Sequence, residues 1–197
     1  MANSLLRPAL LALACAWSAV AAAEDRSKLP IKVEARASDF DTKNNVLVFD
    51  EITIAQGDIR ITAKRAQATG LNFDDSRWEF SGTVQIKMVD GAMASDTARV
   101  RFTGGQIQSA TVTGAPATFE QKKQDRQAQG RANRIDYDLG RGTVELAGDA
   151  WLSDGRNEIT GATLVYSTGT QRVISNQEVV ITIQPRKAED KPAGPTP

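Results

Sequence analysis

From Pro30 onward the chain alternates apolar and polar positions with a period of two. Ile31 and Val33 alternate with Lys32 and Glu34, Ile52 and Ile54 flank Thr53, and Ile59 and Ile61 alternate with Arg60 and Thr62. The same spacing recurs at Val84, Ile86 and Met88, at Ile135, Tyr137 and Leu139, at Val144 and Leu146, and at Val179, Ile181 and Ile183. Such alternation turns one row of side chains to a dry face and the other to water, which predicts strands. Turn chemistry interrupts the rows at Asn44-Asn45, Gln56-Gly57-Asp58, Asp74-Asp75, Asp90-Gly91, Gly104-Gly105, Gly140-Arg141-Gly142, Asp154-Gly155 and Thr168-Gly169. A weak helical period near Glu120 to Gln129 holds too few apolar residues to pack. The predicted class is all-β.

A longer period overlies the short one. Ala37, Ala66, Ala98, Ala132 and Ala162 recur roughly every 30 residues and are expected to open a strand after a turn. Phe80-Ser81-Gly82-Thr83-Val84-Gln85-Ile86 reads as a copy of Leu139-Gly140-Arg141-Gly142-Thr143-Val144-Glu145-Leu146. Stacked units of this size predict an elongated sheet structure in which neighbours share a core. An ordinary sandwich without a true repeat is the plainer alternative. In an open or loosely closed stack the apolar rows line a groove. Their Ile, Val and Leu, with Phe40, Phe49, Phe102, Phe119, Tyr137 and Tyr166, suit flexible hydrocarbon.

Composition narrows the chemistry. The 197 residues carry 24 basic and 24 acidic side chains, no histidine, and one cysteine, Cys15. Histidine bases, His/Cys metal sites, disulfides and nucleic-acid attraction by excess charge are thereby removed, and no cofactor is expected. Residues 1–23 read as a cleaved signal peptide ending Ala21-Ala22-Ala23, which predicts an envelope location, with a retained anchor as the alternative. Residues 185–197 hold four prolines and no large apolar side chain, which predicts a disordered tail.

Three constellations have bland readings. The carboxylate pairs Asp74-Asp75, Asp136/Asp138 and Asp149/Asp154 fall at turns or on wet faces, so catalysis is not expected. The glycine pairs precede strands and lack the helix N-terminus that a phosphate loop requires. Lys122, Lys123, Arg126, Arg131 and Arg134 form one basic cluster, a solvated loop or a contact for lipid phosphates.

An ordered set of residues then resembles a known family. Pro30-Ile31-Lys32-Val33-Glu34-Ala35, Val46-Leu47-Val48-Phe49 and Gln56-Gly57-Asp58-Ile59-Arg60-Ile61 come first, followed by Gly114-Ala115-Pro116-Ala117-Thr118-Phe119. The match is densest over Tyr137-Asp138-Leu139, Val144 to Ala150 and Asn157-Glu158-Ile159-Thr160-Gly161. Together, after a secretory signal, they resemble the OstA-like family of periplasmic lipopolysaccharide-transport proteins. The resemblance implies a slightly twisted β-jelly roll over residues 24–184. It implies a carrier of lipopolysaccharide between inner and outer membranes, with the lipid A acyl chains in the apolar groove. The implied groove residues are Ile31, Val33, Phe119, Tyr137 and Leu139. Implied partners are further copies, the inner-membrane export complex and outer-membrane translocon subunits of the same fold. The stretch from about Gly70 to Val100 reads as one β unit beyond the shortest members, which also fits an anchored sister subunit of the same export system.

Other classes are a ligand-free structural envelope protein and a small outer-membrane barrel. The barrel is disfavoured by strands expected to be shorter than about ten residues. The free sheet edges expected for assembly are Ile31 and Val33 in the first strand and Val179, Ile181 and Ile183 in the last.

Overall fold

The computed structural model describes residues 29–41, 43–69, 73–123 and 126–185. The expected leader over 1–23 and the tail beyond Pro185 lie outside the described residues. The alternating segments become twelve strands: β1 (Lys32–Glu34), β2 (Ala37–Asp41), β3 (Val46–Gln56), β4 (Ile59–Thr69), β5 (Asp75–Met88) and β6 (Gly91–Thr103). They continue as β7 (Gln106–Lys123), β8 (Arg126–Asp138), β9 (Thr143–Ser153), β10 (Asn157–Ser167), β11 (Val173–Ile174) and β12 (Val179–Ile183). All belong to one antiparallel meander in which β3 to β10 pair in chain order. The first position in the sheet is shared by β1 and β2, both on β3, and the last by β11 and β12, both on β10.

Every long strand is interrupted near its middle. The pairing register skips between Thr62 and Arg65, Ser81 and Val84, Ala94 and Thr97, Thr113 and Ala117, Arg131 and Arg134, and Gly161 and Thr163. At these places Glu51, Thr83 and Asp149 take positive φ of 50°, 51° and 52°, the last two directly after Gly82 and Gly148. A left-handed backbone costs a side-chain-bearing residue about 1–2 kcal/mol, so the fold must recover this elsewhere. It recovers it by re-aiming side chains, as bulges do. In β4, Ile61 and Ala63 are buried before the skip, and Ala66 and Ala68 after it. The parity slips by one and both halves of the strand keep an apolar face inward.

These interruptions align into a crease that divides the sheet into two leaves. Leaf I carries 52–56, 59–63, 84–88, 91–94, 117–123, 126–131, 150–153 and 157–161, with β1 and β12 at its edges. Leaf II carries the other halves, with β2 and β11 at its edges. Their inner faces merge into one apolar core from Leu47 to Tyr166. Ten strand positions at about 4.8 Å spacing give a stack roughly 43 Å long, an elongated β-jelly roll.

Several expectations are corrected here. Ala66, Ala98 and Ala132 lie mid-strand, buried beside the crease, and do not open strands. The repeat of about 30 residues is a hairpin whose two strands both cross the crease. Phe80 to Ile86 and Leu139 to Leu146 are not equivalent, because Gly82-Thr83 is a crease whereas Gly140 to Gly142 form a hairpin turn. Glu120 to Gln129 is strand on both sides of residues 124–125. The strands of the central meander are 11 to 18 residues long, so length does not count against a barrel. What does is topology: β1 and β12 do not pair, and the large apolar rows face inward.

Candidate functional site: the seam between the leaves

Opposite the crease, the hairpin rims of the two leaves meet along a seam. Phe119 of leaf I, 2% exposed, stands between two tyrosines of leaf II. Its ring centroid is 6.0 Å from that of Tyr137 and 6.2 Å from that of Tyr166. The Tyr166 hydroxyl donates to Gln121 Oε1 at 2.9 Å, a hydrogen bond that crosses from leaf II to leaf I. Tyr137 shares a hydrogen bond with Thr168. Burial pushes both phenol pKa values up, helped at Tyr166 by the nearby Tyr137, so both hydroxyls stay protonated at neutral pH.

Two clefts flank this contact, each walled by both leaves. The smaller, about 220 Å³, lies against Ile59, Met88, Phe119, Tyr137 and Leu139 under the Asp90-Gly91 and Thr168-Gly169 turns. The larger, about 570 Å³, has a floor of Ala128, Leu152, Ile159, Tyr166 and Val173. Its rim is polar, with Gln127, Asp154, Arg156, Asn157 and Gln171. Asp154 accepts from the backbone of Arg156 and Asn157 at 2.9 and 2.6 Å, which fixes the rim turn. An apolar floor under a polar rim, on which Arg156 is balanced by Asp154, complements an amphiphile.

Three of the five expected groove residues, Phe119, Tyr137 and Leu139, converge on the smaller cleft. Ile31 and Val33 belong to the first edge of the sheet, are partly buried against the same core, and line neither cleft. Asp136 points outward: it accepts from Thr111 at 2.6 Å and from Arg134 at 2.7 and 2.9 Å. Burial works to raise its pKa, but these hydrogen bonds outweigh it and hold the carboxyl below its ordinary value.

Of the basic cluster, Arg131 and Arg134 stand apart from each other. Arg131 lies on the outside of leaf I, its guanidinium 4.2 Å from the Trp151 ring centroid. Arg134 lies across the crease, paired to Asp136. Sequence reasoning missed Leu152 and Ile159, although both flank the Asp154-Gly155 turn, and it missed Gln121 entirely.

Of the edge residues, Ile181 and Ile183 in β12 are 57% and 72% exposed, and Val180 between the ladder ends is 64% exposed. Val179 is partly buried.

The described residues thus form a two-leaved β roll with an apolar interior, clefts of mixed polarity at its seam and sheet edges without a ladder partner among them. A model of the family described as LptA/(LptD N-terminal domain) LPS transport protein matches residues 65–172, more than half of the sequence. The chain belongs to this family of lipopolysaccharide transport proteins. Curated relatives include the lipopolysaccharide export system protein LptA of Haemophilus influenzae, 24% identical over 178 residues, covering 89% of this chain and 86% of the relative. The protein of the same name from Escherichia coli is 24% identical over 195 residues, covering 96% and 88%. Among solved structures, LptH of Pseudomonas aeruginosa, described as the LptA homologous periplasmic component of the lipopolysaccharide transport device, aligns with TM-score 0.43 and 20% identity, covering 81% of this chain and 99% of that one.

Proposed function

We propose that the protein is a periplasmic carrier, exported with a cleaved leader, that bridges inner and outer membranes by holding lipopolysaccharide through its acyl chains between the two leaves. The observation that carries this reading is the single apolar core running the whole stack and opening at clefts with polar rims. A carrier must replace about 0.8 kcal/mol of burial for each CH₂ it takes from a membrane. A continuous apolar interior supplies that lining and a hydrated surface does not. Phe119, Tyr137 and Leu139 serve the chains at the seam, and Ile31 and Val33 at the first edge.

Copies join head to tail. Among the described residues, β1 with Ile31 and Val33 at one end and β12 with Val179, Ile181 and Ile183 at the other each keep one side without a ladder partner, and strand addition there extends the sheet and the core together. The same edges suit inner- and outer-membrane subunits of like fold. Direction must come from those partners. A ligand-free structural role has one observation in its favour: core side chains such as Trp78, at 0% exposure, leave no water-sized void beside them in this state.

Mass spectrometry of lipid co-purifying with the protein from envelope extracts separates the two. The carrier reading expects lipopolysaccharide near one molecule per protein. Protein that emerges without acylated lipid, and takes none from lipid A micelles, would overturn it.

A further inference from the structure

The lipid reading poses a steric problem, since the interior between the clefts is filled. Val112, Ile135, Val144, Leu146 and Leu164 are all at 0% exposure, so no acyl chain enters without the leaves moving apart. The crease cannot be where they part, because every long strand runs through it covalently. The seam can: its rims are hairpin turns, and the two clefts show where the leaves already stand apart. Between the clefts the leaves are joined by Tyr166 and Gln121.

Resting on the proposed carrier function, we infer that the larger cleft is the site that admits acyl chains and that the Tyr166–Gln121 hydrogen bond is the latch of a lateral gate. The floor of the cleft presents Leu152, Ile159 and Val173 to hydrocarbon, and the polar rim, with Gln127, Asp154, Arg156 and Asn157, faces the head group. Its volume of about 570 Å³ is of the size that holds one ligand-sized group before any opening. Breaking the latch joins the larger cleft to the smaller one across Tyr166 and Phe119, which turns two separate hollows into one trough along the seam. The latch is neutral and part-buried, so it opens without separating charge. Tyr166 thus acts on the rate of admission, and the apolar floor on the affinity.

The test compares a locked, a capped and an unlatched protein. Gln121→Cys with Tyr166→Cys, on a Cys15→Ala background, is bridged by a cleavable bis-methanethiosulfonate, or capped singly with methyl methanethiosulfonate. Uptake of lipid A carrying an environment-sensitive fluorescent acyl chain is followed by stopped flow. Bridging is expected to slow uptake at least tenfold relative to capping, with recovery on reduction. Tyr166→Phe, which keeps the ring and loses one hydrogen bond, is expected to speed uptake about fivefold. It decides the matter if the double variant does not fold. Equal rates for bridged and capped protein, or an unchanged rate for Tyr166→Phe, overturn the gate and leave the carrier reading standing. Absence of uptake by every form, wild type included, overturns the carrier reading and the gate with it.

Discussion

The two ends of the stack fill the same architecture differently. Across β3 to β6, leaf II is packed with rings: Trp78 lies nearly parallel to Phe49, Phe73 and Phe80 at 5.7, 5.2 and 6.0 Å, and Phe102 meets Phe73 edge-on at 5.0 Å. Leaf I answers with Ile52, Ile54, Ile61, Val84 and Ile86, all at 3% exposure or less. Across β7 to β10 fewer rings are buried: Phe119 and Tyr166 stand among Ala117, Ala128, Gly130, Ala132 and Ala150 and the aliphatic Ile135, Leu146, Leu152 and Leu164. There the seam holds the 570 Å³ cleft. Aromatic pairs gain roughly 0.5–1.5 kcal/mol each beyond simple burial, so parting a stack of several rings forfeits more than parting aliphatic walls. Aliphatic and alanine-lined walls can separate and re-close around a chain. Under the proposed function the ring-packed interior of the first half is the stiffer part, with Ile31 and Val33 at its outer edge, and the second half is the receptive part.

The largest expected effect comes from opposing substitutions in the two halves. Trp78→Ala removes the centre of the ring stack and should cost about 3–5 kcal/mol in denaturant unfolding. Leu152→Ala, at the floor of an existing cleft, should cost about 2 kcal/mol, the low end for such a deletion, yet weaken acyl-chain binding more than Trp78→Ala does. Similar stability losses with equal effects on binding would erase the distinction.

A smaller effect belongs to the outer face of leaf II. Because the Asp136 carboxyl has a lowered pKa when folded, its contribution is fully present above its ordinary value of 3.8. It is lost as the pH falls through the lower, folded value. Discounted for solvent exposure, it amounts to about 1 kcal/mol or less. Hydrogen exchange below pH 4 should accelerate in β7 and β8 before β4 and β5, and Asp136→Asn should abolish that difference. The smallest effect is Arg131→Ala, which uncovers the Trp151 ring and should cost about 0.5 kcal/mol with a shift in Trp151 emission.

Alternation and turn chemistry made most of the fold legible, because Ile, Val and Leu at every second position leave few other arrangements. All eight turn signals separate strands in the structure. The crease was not legible. A parity slip such as Ile61 and Ala63 followed by Ala66 and Ala68 looks in sequence like the end of one strand and the start of another. The positive φ of Thr83, a β-branched residue, gives no local signal of its own. The seam needed the crease, so the meeting of Gln121 with Tyr166, 45 residues apart, was hidden too. Phe119, Tyr137 and Leu139 could be named because their rows were apolar and matched the family pattern. Leu152 was passed over because its row is short and ends in a turn.

The proposed function puts acyl chains between the leaves in the half that holds the larger cleft. Photo-crosslinking with bound lipopolysaccharide tests it most directly. A photoreactive side chain is placed in turn at Tyr137, Leu139 and Leu152 inside that half, at Phe80 inside the aromatic half, and at Asp136 on the outer face. Strong lipid adducts are expected at the first three positions and almost none at Phe80 or Asp136. Adducts at Phe80 or Asp136 as abundant as those at Leu152 would contradict it.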